Sequence, residues 1–250
     1  MKTKAFVLLL FLSFYSLSCM AQIDMEVEEV KVIAALKKLR SDDPNLDRNQ
    51  AAIQFESTLK KVLLLKESWN YSFPDLRKYI NIETSRDRKI RTFSWDSLTG
   101  GSWHALRNLI QFEVEDKLKV VSFQKENPTD EEEGNDMFAD AVILKMYRFH
   151  NGYLFEGFGT YGSGNHHKVI AYYELVNDEL VRKSIFNNDK DIYVLMIPRR
   201  YKFDLKIDTY KGIITHSEYV MDDEIGFSKP TGKTVVLTFD GKKFIKQIKN

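Results

Sequence analysis

Apolar residues recur along this chain at two different periods, and the change falls near residue 70. Between Met25 and Glu67 they step by three and four. Val32, Ala35, Leu36 and Leu39 stand among Glu and Lys as the one-sided stripe of an amphipathic helix. Ser41-Asp42-Asp43-Pro44-Asn45 interrupts the stripe, since a proline inside a helix removes a backbone bond and clashes with the preceding turn. Asp47 followed by Gln50 then predicts a capping box, and Phe55, Leu59, Val62 and Leu63 mark a second amphipathic helix. So short a link favours an antiparallel pair, a helical hairpin within residues 22–70.

Beyond Trp69 the period drops to two. Runs rich in Val, Ile, Phe, Tyr and Thr predict strands at 78–84, 89–95, 104–114, 118–124, 141–149, 153–160, 168–176, 180–186, 192–197, 202–208, 212–219, 233–239 and 243–248. Asn151-Gly152, Asn177-Asp178 and Asp240-Gly241 are hairpin dipeptides. Strands joined so tightly run antiparallel, because a parallel crossover needs a dozen residues or more. The predicted fold class is therefore α+β: an N-terminal helical hairpin, then a large antiparallel β meander over 71–250. Its shape is a curved sheet, sandwich or barrel, in one globular unit with the helices. A propeller would need a fixed repeat, and turns at 151, 177, 211 and 240 are too irregularly spaced to supply one.

The N-terminus follows neither period. Lys2 and Lys4 precede an apolar run from Ala5 to Leu17 that ends in Ser18-Cys19-Met20-Ala21-Gln22, the three parts of a secretory signal peptide. The run is shorter than the roughly 20 apolar residues a membrane-spanning helix needs. Residues 1–21 are expected to leave by cleavage between Ala21 and Gln22, placing the protein in the periplasm, at the cell surface or outside the cell. A competing cut would make Cys19 a lipidated first residue. That signal wants a large aliphatic residue three places before the cysteine, and Ser16 stands there with Leu17 one place out of register. Cleavage after Ala21 removes the single cysteine, which excludes disulfides, thiol catalysis and cysteine-bound metal.

Composition narrows the remainder. About 228 residues past the signal suit one sizeable domain or two small ones. Hydrophobic residues at 43% and aromatics at 13% are globular values. Without Lys2 and Lys4 there are 35 basic against 36 acidic residues, a net charge of −1 that speaks against nucleic acid as a partner. No second apolar run approaches membrane-spanning length. No cofactor is implied, and the expected partner is an envelope protein or a glycan. Lys125 to Asp136 forms a long acidic loop whose spacing does not match a calcium-binding template, so it reads as a solvated excursion.

The most distinctive stretch is Phe93-Ser94-Trp95-Asp96-Ser97-Leu98-Thr99-Gly100-Gly101-Ser102-Trp103-His104. In Ala21-Gln22, Trp95-Asp96 and Thr99-Gly100-Gly101 the chain resembles uncharacterised exported β-rich proteins of Bacteroidetes-type bacteria. That resemblance implies a periplasmic or surface protein and transfers no catalytic residue. Read physically, Asp96 accepts backbone N–H bonds from its own turn, the glycines supply unusual backbone angles, and Trp95 and Trp103 cover the sheet end. Read functionally, exposed Trp95 and Trp103 stack on a sugar or peptide, and Asp96 with His104 forms an acid–base pair. As a metal-independent hydrolase that pair would need a hydroxyl within about 3 Å; Ser94, Ser97 and Ser102 are at hand, though none sits in a nucleophile elbow.

Two further segments carry candidates. Tyr161-Gly162-Ser163-Gly164-Asn165-His166-His167 reads as a flexible hairpin end with surface histidines, Tyr161 and His166 being candidate ligand contacts. No metal site follows, since adjacent strand histidines face opposite ways and zinc wants three or four ligands. Arg199, Arg200 and Lys202 could hold an acidic ligand; the plainer reading is a solvated turn whose stems cover Tyr201. The chain thus reads as an exported, non-catalytic binding or structural protein of the cell envelope, with glycan or peptide as ligand.

Overall fold

Aspartates start both helices. The computed structural model describes residues 23–99, 104–123, 138, 140–161, 164–222, 224 and 226–250. Cys19, Ala21, Gln22, Trp103 and the acidic loop lie outside the described residues. Helix α1 (Met25–Leu39) is capped by the Asp24 carboxylate, which accepts the Glu26 N–H at 2.9 Å. Helix α2 (Arg48–Leu63) is capped by Asp47, which accepts the Gln50 N–H at 3.0 Å, as the spacing predicted. Val32, Leu36 and Leu39 of α1 and Phe55, Leu59, Val62 and Leu63 of α2 are buried in one cluster. Glu29, also buried, ties α1 to the next segment. It accepts the Tyr71 hydroxyl at 2.6 Å and the N–H groups of Asp75 and Leu76 at 3.0 and 2.8 Å.

The strands lie where alternation places them, but they divide into three antiparallel sheets. The first holds β1 (Asn81–Thr84), β2 (Ile90–Asp96), β3 (Leu106–Val114) and β4 (Lys117–Ser122), in that order. The second holds β5 (Val142–Phe149), β6 (Gly152–Tyr161), β7 (Asn165–Val176) and β8 (Glu179–Lys183), with β9 (Ile192–Pro198) also pairing with β7. The third holds β10 (Lys206–Asp208), β11 (Ile213–Asp222), β12 (Phe227–Phe239) and β13 (Phe244–Lys249). None closes into a barrel.

The reason is visible in β2 and β3, which are buried on both faces. Phe93, Trp95 and Leu109 join the helical cluster, while Ile90, Ile110 and Phe112 join a second cluster with Phe155, Val169 and Tyr173 of the second sheet. A third cluster joins that sheet's other face, through Leu154, Ile170 and Tyr172, to Ile214, Val235, Leu237 and Phe244 of the third. The result is a stack of layers: helices, then three sheets. A sheet covered on both sides has no interior for a barrel to enclose.

Polar residues fix the layers in register. Asn108 is fully buried between the first two sheets; its amide donates to Ala141 O at 2.7 Å and its Oδ1 accepts the Ile143 N–H at 3.2 Å. Between the second and third sheets, the Nδ1–H of buried His216 donates to Ser217 O at 2.6 Å. A carbonyl can only accept, so Nε2 carries the lone pair and takes the Tyr193 hydroxyl, also at 2.6 Å. Burial, together with Lys246, holds His216 below the usual histidine range despite the opposing pull of Ser217 O and Asp204.

The unfolded chain therefore binds a proton near pH 6.5 that the folded chain refuses. Stability is complete above about pH 6.5 and falls as the pH drops toward the folded pKa, by at most about 1.4 kcal/mol per pH unit for one such group. In urea titrations between pH 7.5 and 5.5, His216→Gln should show a shallower dependence of unfolding free energy on pH, whatever its absolute stability. An unchanged slope would refute the assignment.

Two turn readings change. The β5–β6 turn is His150-Asn151, with His150 at φ 45°, and Gly152 is already in the strand facing Phe149. Gly152 is required by close approach instead: a Cβ there would lie 2.1 Å from Tyr173 O. The β11–β12 ribbon also runs on to Asp222 and Phe227, past the expected strand limits of 212–219 and 233–239. Pro230 sits opposite Tyr219, beside a register shift, a position that tolerates the missing N–H.

Candidate functional site

Alternation along β2 sends Arg91, Phe93 and Trp95 toward the helices and Ser94 toward the second sheet, where Ser94 Oγ accepts the Ile143 N–H at 3.2 Å. Trp95 is 2% exposed and meets the Phe55 ring edge-on, 5.1 Å between centroids. It is therefore no exposed stacking platform, because Phe55 of α2 already covers its ring. Its indole Nε1 nonetheless has no hydrogen-bond partner among the described residues.

Trp95 lines a groove of ≈ 700 Å³. One wall is the outer face of α2, where Asn49, Ile53, Ser57 and Lys60 recur at helical spacing. The facing wall is Val120, Val121 and Ser122 of β4, with Ser97, Thr99 and Arg107 also in the lining. Ile53 is 62% exposed, an apolar side chain on the polar side of its helix. A second hollow, ≈ 620 Å³, lies at the other end of β4, between Leu118 and Lys117 on one side and Leu64, Lys66 and Trp69 on the other. Leu64 is exposed as well.

Asp96 and His104 do meet. Asp96 Oδ1 accepts the Leu98 N–H at 2.8 Å, with Leu98 at φ 58°, and Oδ2 contacts His104 Nδ1. The carboxylate thus locks the turn and orients the imidazole, whose ring is half exposed. Ser97 Oγ is committed elsewhere, donating to Ala105 O at 2.7 Å and contacting Thr99 Oγ1 at 2.7 Å. Among the described residues no serine or threonine hydroxyl is bonded to His104. Ser102 lies outside them.

The other two candidate segments converge on one another. Strand β7 begins at Asn165, so His166 and His167 belong to the strand and not to its turn. His167 is 1% exposed and tucked over Gly159, where a Cβ would come 2.4 Å from its ring; only a glycine leaves that space. The expected surface pair is thus wrong for His167, and His166 is only partly exposed. His166 packs against Phe158, 5.1 Å between ring centroids, and burial followed by the charge of Arg199 holds it below the usual histidine range. The Arg199 N–H donates to Gly164 O at 3.0 Å, and the Arg200 guanidinium lies 5.0 Å from the Tyr201 ring centre. Tyr161 ends β6 opposite Asn165. Among the described residues no three His, Cys, Asp or Glu side chains form a group able to hold a metal ion.

All these segments share one end of the stack, since Ser94 and Asn108 pin the close of β2 and the opening of β3 to Ile143. Pairing then carries the same end to Phe158, Thr160, His166 and Pro198. The groove beside β4 was not anticipated. Its signal in the sequence is slight: Ile53 and Leu64 interrupt an otherwise polar helix face. No helix among the described residues is long and apolar enough to cross a membrane. Comparison with protein-family models, with curated proteins and with solved structures found no match.

Proposed function

We propose that this is an exported, non-catalytic binding protein of the bacterial cell envelope, and that it takes a glycan or peptide ligand in the groove between α2 and β4. In this reading the helices pair as a hairpin, and the mature chain is free after removal of residues 1–21, or lipid-anchored if the cut instead makes Cys19 the first residue. The observation that carries the binding role is the buried Trp95 indole N–H, unpaired among the described residues, in the lining of a groove with an exposed Ile53 on its wall. A buried donor without a partner is disfavoured by about 1–3 kcal/mol, and a ligand acceptor would satisfy it once the side chains covering it shift.

The test is a titration of the Trp95 indole N–H resonance with chitohexaose and with pooled peptides. One class should move that resonance, and Ile53→Glu should weaken the response at least tenfold. If neither class moves it, the groove is not the site. The Asp96–His104 contact favours a second reading, a metal-independent hydrolase. It stands only if the purified chain hydrolyses an ester or peptide and His104→Ala abolishes that activity.

A further inference from the structure

The ligand class can be narrowed from the backbone that faces the groove. Among the described residues strand β4 is the last strand of the first sheet and pairs only with β3. The hairpin between them turns on Glu115 and Asp116, both at positive φ (48° and 61°), with Val114 paired to Lys117. In such a two-residue hairpin the residues flanking the turn exchange both backbone hydrogen bonds, and the pattern then alternates. Lys117, Lys119 and Val121 therefore bond toward β3, while Leu118 and Val120 turn their N–H and C=O groups outward. Among the described residues neither has a backbone partner on that outer side.

The side chains agree. Val120 packs with the helical cluster and Val121 with the second-sheet cluster, so they point to opposite faces. A groove touched by both reaches the edge of β4, besides crossing the helical face of the sheet where Trp95 and Arg107 are paired. The two hollows touch successive positions of β4, Lys117 and Leu118 in one, which also reaches Glu113 of β3, and Val120 and Val121 in the other. Each has one exposed apolar residue on its helical wall, Leu64 and Ile53.

We propose, resting on the binding role above, that the ligand is an extended peptide added to β4 as a fifth strand of the first sheet. Only a polypeptide backbone repeats a donor and an acceptor on one edge every two residues, about 6.8 Å, which is the period of the outward groups of Leu118 and Val120. Glycan hydroxyls have no such repeat. Backbone bonding to β4 gives affinity, and the two hollows select apolar side chains two or more positions apart.

The probes are peptides selected from a random decapeptide display library on the purified chain. They should converge on alternating apolar residues. With each one bound, the amides of Leu118 and Val120 should exchange at least tenfold more slowly, and backbone N-methylation of the peptide should weaken binding at least 50-fold. Leu118→Pro removes an outward N–H at an edge position where proline is tolerated, so it should weaken binding at least tenfold while the unfolding midpoint stays near that of the parent. Peptides that bind with undiminished affinity after N-methylation, and leave both amides exchanging as before, would overturn strand addition. Should chitohexaose move the Trp95 resonance while no peptide is selected, the groove remains the binding site and the peptide proposal falls. Failure of both probe classes defeats both readings.

Discussion

Arg91→Ala should destabilise the protein by about 3–5 kcal/mol in urea unfolding, the order expected when buried carbonyls lose a shared charged donor, at about 1–3 kcal/mol each. Arg91 is 5% exposed on β2, and its guanidinium is bracketed by backbone, not by an acid. One amino group donates to Ser68 O at 2.8 Å and Trp69 O at 3.1 Å, the other to Tyr71 O at 2.9 Å. The rings of Phe73 and Phe93 lie 5.4 and 5.2 Å from it. Burial, with the nearby Arg77 charge, lowers its pKa to about 10, still far enough above neutrality to keep the cation.

Removing the side chain takes the donor from the Trp69 and Tyr71 carbonyls and leaves Ser68 O with only the Tyr71 N–H, at 3.2 Å, in the segment that leads from α2 into the first sheet. Gln111 cannot compensate, since its amide is already spent on Leu63 O and Ser68 Oγ. Arg91→Lys should recover only part of the loss, because one ammonium lacks the planar fork that reaches three acceptors. If Arg91→Ala lies within 1 kcal/mol of the parent protein, this segment is not held as described.

The same residue shows what the sequence can disclose. The strand run 89–95 contains Arg91, Thr92 and Ser94, and polar residues in a strand ordinarily mark its solvent side. Here every one of them is buried, because helices cover one face and the second sheet the other. Alternation placed the strands and the caps placed the helices, since both signals are local. How strands group into sheets depends on non-local packing, which leaves no period to read, so one meander was expected where three sheets form. The site behaves likewise. Asp96 and His104 are eight residues apart in the sequence, so their meeting was legible. The groove joins Ile53 to Val120, positions that only the fold relates.

Lys168→Met should cost about 3–5 kcal/mol, while the double substitution Lys168→Met with Glu156→Gln should cost less than Lys168→Met alone. Both side chains sit between the second and third sheets, 13% and 7% exposed, in direct contact. Tyr147 donates its hydroxyl to the other oxygen of Glu156 at 2.9 Å, and Lys168 lies 5.9 Å from the Phe203 ring centre. Burial, and then the Glu156 charge, pushes the Tyr147 phenol above its usual value, so it remains a donor at any physiological pH. One donor cannot offset a buried carboxylate. Deleting the lysine leaves Glu156 charged in a poor dielectric, whereas deleting both charges removes the desolvation penalty along with the attraction. The coupling read from a double-mutant cycle should therefore exceed 1 kcal/mol; single effects that simply add to within about 0.5 kcal/mol would show that water already screens the pair.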